Sequence, residues 1–206
     1  MTSRFLNLLF TPSIKAAQTE YGSRAGYSRH DQIAGEADRL GEREAQFIAT
    51  RDSFYMATVG ADGWPYVQHR GGPPGLIKVL RPDRVGFANY RGNRQYISVG
   101  NIADDSRVAL FLMDYPRRAR LKLLGRARIV KLAETPELAQ ALVDEAARAP
   151  VERGIVIDVE AYDWNCSQHI TPRFTLAEIA PTIANLQARI AELEAELAGS
   201  KTPAAD

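Results

Sequence analysis

The sequence predicts a mainly β protein with flanking helices: an antiparallel barrel followed by a long C-terminal helix. Three observations predict it. About seven strand-like runs follow one another between residues 53 and 164, with few helices interposed. Most are joined by tight connections, among them Asp62-Gly63 and "RPD" at 81–83. Beyond residue 175 the apolar spacing changes from the alternation of strands to a 3, 4, 3, 4 repeat. The 206 residues suit one domain with ample core.

Residues 1–35 read as an irregular N-terminal arm. Its Gly/Ser/Arg-rich part offers Ser23, Arg24, Ser28, Arg29 and His30 either as a lid or as surface packing. The domain proper is expected over 36–165. "EADRLGEREAQFIATRD" reads as a helix burying Leu40, Phe47 and Ile48. "SFYMATV" and "PYVQHR" form a hairpin around "GADGW", and "GLIKVL" and "RVGFAN" a second one. "RVALFLMD" is a nearly continuous apolar run, as in a strand buried on both faces. "RARLKLLGRARIVKL" alternates, with Leu121, Leu123, Ala127 and Ile129 opposite Arg120, Lys122, Arg126 and Arg128. "PELAQALVDEAAR" reads as a helix with Leu138, Leu142 and Val143 inward, and "RGIVIDVEAYDW" as the last strand.

The C-terminal segment, 166–206, carries an a/d seam of Leu176, Ile179, Ile183, Leu186, Ile190, Leu193 and Leu197. Pro181 is expected at the first position of its long helix, after a capping box from Thr175 to Glu178. The seam suits packing on its own barrel or pairing with a second subunit, and either way a homodimer is expected. The last residues, "GSKTPAAD", read as disordered.

Composition excludes several classes. No apolar run approaches the roughly 20 residues of a membrane span, and "FLNLLF" is too short for a signal core. A single cysteine, Cys166, and three scattered histidines rule out a disulfide framework and make no metal site. Cys166 reads as an inert thiol, since no cation flanks it. A cytoplasmic location fits. The net charge of +1 hides an asymmetry: residues 64–131 hold 14 Lys/Arg against 4 Asp/Glu. Such a basic middle suits an anionic ligand, either small and phosphorylated or a nucleic acid.

Four stretches bear on that ligand. In "YVQHRGGPPGLIKV", three glycines and two prolines interrupt a strand between Arg70 and Lys78, as at a bulge or a close backbone approach to a ligand. "ANYRGNRQYISVGNI" places Asn89, Arg91, Asn93, Arg94 and Gln95 before an apolar run. Tyr96, Ile97, Val99 and Ile102 then share one side of a helix, with Asn93 as its cap. A helix start with arginines beside it suits a phosphate or carboxylate. "RARLKLLG" sets Arg120 and Lys122 on one face, and "YDWNCSQHITPRF" adds Trp164, Gln168, His169 and Arg173.

In order and spacing, "HRGGPPGLIKVL…VGFANYRGNRQYISVGN…RVALFLMD…RLKLLGRARIV" resembles the flavin-nucleotide-binding proteins related to pyridoxamine 5′-phosphate oxidase. The resemblance covers about residues 36–165 and implies a split β-barrel homodimer with FMN in a cleft between subunits. It further implies that Lys78 and Arg94 hold the phosphate, with Arg70 as a further cation. Asn89 and Gln95 would lie along the ribityl chain or phosphate, with Asn93 also among the cofactor-binding residues. Arg120 would sit near the flavin ring, where a positive group stabilises the anionic reduced form and raises the potential. Trp164 or Tyr162 would wall the ring, and Gln168, His169 and Arg173 would face a small substrate. The Arg/His-rich motif that grips pyridoxal phosphate in the true oxidases is missing, and Gln95 stands where lysine is usual. The vitamin B6 role is therefore not carried over.

The resulting expectation is an FMN-binding oxidoreductase acting on a small substrate, with no nucleic-acid and no membrane partner. A non-catalytic flavin carrier, store or redox sensor is the alternative. Haem or a deazaflavin in the same cleft is a variant of the first. A nucleic-acid-binding barrel is disfavoured because no row of stacking aromatics interleaves with the basic residues.

Overall fold

The computed structural model describes residues 3–31, 36–144, 150–164 and 168–200. Seven strands form one antiparallel sheet: β1 (Ser53–Val59), β2 (Pro65–Gly71), β3 (Ile77–Arg81), β4 (Arg84–Tyr90), β5 (Arg107–Asp114), β6 (Ala119–Val130) and β7 (Val151–Trp164). Their order is β2-β1-β5-β6-β7-β4-β3, so consecutive strands pair except where β5 inserts beside β1 and β7 beside β4. The sheet is open, with β2 and β3 at its edges. It nevertheless curls, because Phe54 of β1 meets Phe87 of β4 edge-on at 5.1 Å although three strands lie between them in the order. The fold is thus the split antiparallel barrel.

Alternation explains the interior. Phe54 and Met56 of β1, Leu110 and Leu112 of β5, Leu121 and Leu123 of β6, and Ile155 and Ile157 of β7 are all buried and pack together. Pairing of β6 with β7 slips at Leu124/Gly125, where a Cβ on Gly125 would lie 2.5 Å from the Asp158 carbonyl oxygen. Only glycine allows the two backbones to approach so closely there.

Helices flank the sheet: α1 (Ser3–Leu9), α2 (Pro12–Glu20), α3 (Arg24–Tyr27), α4 (Glu42–Ala49), α5 (Ile97–Asp104), α6 (Pro136–Leu142) and α7 (Leu176–Ser200). The arm is therefore helical rather than irregular. Within "FLNLLF", Phe5 and Leu6 form the buried face of α1 against Ala161 of β7, while Leu8 and Leu9 are exposed, and Arg4 pairs with Glu160 at 3.1 Å. Of the lid candidates, Arg24 is held within the arm, donating to Gln18 at 2.9 Å and pairing with Asp31, while Ser23, Ser28 and Arg29 are exposed.

Other expectations shift in detail. The helix at 36–52 shortens to α4, with Leu40 just ahead of it buried, Ile48 fully buried and Phe47 partly so. β5 is buried on one face only, and Ala109, Phe111 and Met113 are half-buried in a groove described below. Val143 is exposed because α6 ends at Leu142, the residue that is buried. Within α5 the buried residues are Ser98 and Ile102, whereas Tyr96 and Ile97 are exposed. The capping box forms, with Glu178 accepting from the Thr175 amide at 2.8 Å and donating its own amide to the Thr175 hydroxyl at 3.3 Å. Consequently α7 begins at Leu176, and Pro181 lies inside it rather than at its first position.

Candidate functional site: two cavities served by alternate residues of one strand

Strand β2 sends Tyr66, Gln68 and Arg70 into one cavity and Val67 into another, as the period of two requires. The first cavity measures ≈ 240 Å³. It lies where the curled sheet brings edge strand β2 against β4, and there Arg70 donates from Nη1 to Asn89 Oδ1. Asn89 is buried, and burial pushes the Arg70 pKa down against the opposing pull of Tyr66. The Arg70 Nε is itself buried and has no acceptor among the described residues. A buried, unsatisfied charged donor is costly, and an anion would satisfy it.

The loop between β4 and α5 supplies the rest of the wall. Asn93 does not cap the helix; its Oδ1 accepts from the Gln95 amide at 3.2 Å and its Nδ2 donates to Gln95 Oε1 at 3.1 Å. The residue before α5 is Tyr96, in left-handed conformation at φ 55°, and Arg94 is left-handed too at φ 62°. Two such non-glycine residues two apart are strained backbone, of the kind that clusters at binding sites. Tyr96 provides no side-chain cap, and Ile97, Ser98 and Val99 of the first turn of α5, where N–H groups lack intrahelical partners, line the cavity. Arg94 donates to the Tyr96 hydroxyl at 3.2 Å, which donates to Glu152 at 3.2 Å. These contacts with Tyr96 first, and then the Glu152 charge, raise the Arg94 pKa. Glu152 also holds Arg153 at 3.0 Å and Arg91 at 3.5 Å, which fixes the loop to β7.

The second cavity, ≈ 790 Å³, is a groove lined mainly by apolar groups of β1, β5, β6 and α1, including Phe5, Tyr55, Ala109 and Phe111. Its rim is cationic. Arg120 stands over Phe111 at 5.8 Å with a buried Nε that has no acceptor among the described residues. Arg173 stacks over Tyr115 at 5.0 Å, and His169, left-handed at φ 62°, lies on the same wall. Lys122 is paired with Asp163 at 2.8 Å.

The candidates thus separate. Arg70, Asn89, Asn93, Arg94 and Gln95 come together around the first cavity, and Arg120, His169 and Arg173 around the second. Lys78, Trp164 and Gln168 line neither. Lys78 lies 3.9 Å from Asp144. Trp164 donates to the buried Glu44 at 2.6 Å, with Phe47 edge-on at 4.8 Å and Arg43 over its ring at 4.3 Å, a structural arrangement. Tyr162 packs on the main core and donates its amide to Asp38 at 3.0 Å. Gln168 is exposed, and Cys166 lies outside the described residues. The Gly-Pro segment serves packing: Gly75, at φ 79°, donates to the Arg51 carbonyl, and a Cβ on it would meet the Ala49 oxygen at 3.1 Å.

Tyr66, Gln68, Ser98 and Glu152 escaped sequence reasoning. The first two were visible as the residues sharing a face with Arg70. Ser98, which donates to Gln68 at 2.9 Å, and Glu152 come from distant chain segments and carry no local signal. The basic middle is also less bare than its count implies. Among the described residues, nine of its 14 Lys/Arg pair with carboxylates, several from β7: Arg84 with Asp158, Arg126 with Glu160 and Arg91 with Glu152. Among the described residues no cluster of three or more His, Cys, Asp or Glu could hold a metal, and no helix is long and apolar enough to cross a membrane.

Solved structures with similar folds include a putative pyridoxamine 5′-phosphate oxidase from Lactobacillus delbrueckii, 22% identical over 61% of this chain and 93% of its own, at a TM-score of 0.47. Group A Streptococcus HupZ is 17% identical over 66% and 99%, at 0.47. An FMN-binding protein from Syntrophomonas wolfei is 10% identical over 75% and 97%, at 0.49. No curated protein sequence matches the chain. The family model for pyridoxamine 5′-phosphate oxidase matches residues 40–166, all seven strands and more than half of the sequence, and the chain belongs to that family.

Proposed function

We propose that the protein is a cytoplasmic FMN-dependent oxidoreductase acting on a small substrate, with flavin held in a cleft between two copies of the chain. One observation carries the reading: a buried arginine with an unsatisfied Nε–H and the uncapped start of α5 meet in one cavity. Family membership supports a flavin as the ligand of that cavity. Arg70 and Arg94 supply charge to the phosphate and the α5 amides supply aligned donors. Asn89 fixes Arg70, and Glu152 together with Tyr96 fixes Arg94, so both cations are pre-set before the ligand arrives.

The first cavity, at ≈ 240 Å³, is smaller than the roughly 300–1,000 Å³ typical of a pocket that buries a drug-sized ligand. One chain therefore suits the phosphate end but leaves the ring uncovered. The apolar groove of a second copy, with Arg120 at its rim, is the natural cover. Its apolar walls would exclude water from the ring, and Arg120 would favour negative charge beside it. Bound FMN would supply the redox step itself, passing a hydride or electrons between donor and acceptor. His169 and Arg173, on the same groove, would hold an anionic substrate.

The test is FMN titration by fluorescence, followed by steady-state turnover with NADH or NADPH. Saturable binding near one per chain, with multiple turnovers, is the expected result. A protein that takes up no FMN removes the reading. A bound flavin reduced only once per site makes the protein a carrier or sensor instead.

A further inference from the structure

The α7 helix is long and its apolar seam is uncovered. At 1.5 Å per residue its 25 residues span about 37 Å. Leu176, Ile183, Leu186, Ile190, Leu193 and Leu197 are 41–82% exposed, so the seam does not pack on its own barrel. An aligned apolar stripe of this kind marks an interaction surface.

We infer that α7 pairs with α7 of a second copy as a parallel, in-register, two-stranded coiled coil. Three features choose that partner and geometry. The central a positions are Ile183 and Ile190 and the central d positions are Leu186 and Leu193, and β-branched a with leucine d favours two parallel strands. The charges agree as well. Arg189 falls at g and Glu194 at the e position that faces it across a parallel pair, so the pair is made twice by symmetry. Within one chain Arg189 reaches its own Glu192 at 2.8 Å, while Glu194 has no ion pair among the described residues. Finally, Pro181 falls at f, the outermost position, where its missing N–H and its ring leave the seam undisturbed.

The inference does not rest on flavin binding, since the seam would pair in a chain that never met FMN. It does bear on the site. In a parallel pair both chains enter the coil from the same end, which brings together the two segments carrying Thr171 and Arg173 of the second groove.

The test uses the full chain with Cys166→Ser and one new cysteine at a time. Under mild oxidation, Leu186→Cys and Leu193→Cys should each form a disulfide-linked dimer, at least tenfold faster than Ala188→Cys at an outward f position. Both seam positions cross-link to themselves only in a parallel, in-register pair; an antiparallel pair permits one at most. Arg189→Glu alone should weaken self-association several-fold, and adding Glu194→Arg should restore it. Cross-linking at only one seam position, at neither, or equally at 188 overturns the inference. Because cross-linking is read without flavin, failure here leaves the FMN reading intact, and loss of FMN binding leaves this one intact.

Discussion

The first cavity and the second groove draw on the same strand, yet their walls differ in kind. Tyr66, Gln68 and Arg70 make one polar and small; Val67 with Tyr55, Ala109 and Phe111 makes the other apolar and more than three times larger. Each contains an arginine whose buried Nε has no acceptor among the described residues, Arg70 in the first and Arg120 in the second. The surroundings of the two decide their uses. Arg70 is fixed by buried Asn89 beside a helix start, a setting for a phosphate. Arg120 stands over an aromatic ring in an apolar groove, a setting for tuning a planar ligand. Under the proposed function, Arg70 would bind and Arg120 would tune, and the two should fail differently.

The largest expected effect is at Arg70. Arg70→Ala removes a charge-assisted contact of roughly 1.5–3 kcal/mol, so FMN affinity should fall about 10- to 100-fold by fluorescence titration. Arg70→Lys should recover part of the loss, because charge survives while the fork does not. If Arg120→Ala weakens binding as much as Arg70→Ala does, the division of labour is wrong.

Trp164 sharpens the comparison from outside, since it lines neither cavity. Trp164→Phe keeps an aromatic ring against Phe47 but removes the donor to buried Glu44. Glu44 retains the Gly41 amide at 3.0 Å, so the cost in unfolding free energy should be about 1–2 kcal/mol by urea denaturation. FMN affinity should not change. A loss of affinity without a loss of stability would return Trp164 to the flavin ring.

At Arg120 the expected change is mainly in potential. Arg120→Gln should alter FMN affinity by less than roughly threefold, because the phosphate is held elsewhere, while lowering the flavin midpoint potential by on the order of 30 mV. The sign follows from removing a positive group that favours negative charge on the ring. Spectroelectrochemical titration of the two proteins reads it directly, and an unchanged potential would leave Arg120 with no role at the ring.

How much of this was legible in the sequence depends on the range of the determining interaction. The strands were readable because alternation is local, as in Leu121, Leu123 and Ala127. The hairpins followed from short turns. The grouping of Asn93, Arg94 and Gln95 at one cavity is legible because they are adjacent in sequence, but Asn93 is not the cap: the left-handed turn at Arg94 and Tyr96 delays α5 to Ile97. Trp164 illustrates the limit. An aromatic after a flavin-type strand suggests a ring wall, yet its partners Glu44 and Phe47 lie 120 and 117 positions away and nothing local announces them. The arm was missed for a similar reason. Five apolar residues around Asn7 are too few to set a periodicity, and α1 is stabilised by burying Phe5 and Leu6 on β7.

The smallest effect at neutral pH is also the one that separates the groove from the cavity on acidification. Asp114 ends β5 beside Tyr115, which lines the groove. Burial alone would push its pKa up, but hydrogen bonds from the Arg117 amide and side chain, with the charges of Arg51 and Arg117, outweigh burial and hold it below the ordinary value. The ion pairs measure 2.9 Å to Arg51 and 3.1 Å to Arg117. A carboxylate whose folded pKa is depressed contributes stability that is complete above its unfolded pKa, about 3.9, and is lost as pH falls through the folded value. Asp105, held down to about 2 by Arg107, adds an exposed contribution of the same sign at the other end of β5. Melting temperature should therefore be flat with respect to these groups from pH 7 to about 5 and fall below about 4. Asp114→Asn should start lower at pH 7 and lose part of that acid slope, because it has no proton to take up. An identical slope in both proteins would mean that the acid sensitivity resides elsewhere and that the groove wall does not depend on Asp114.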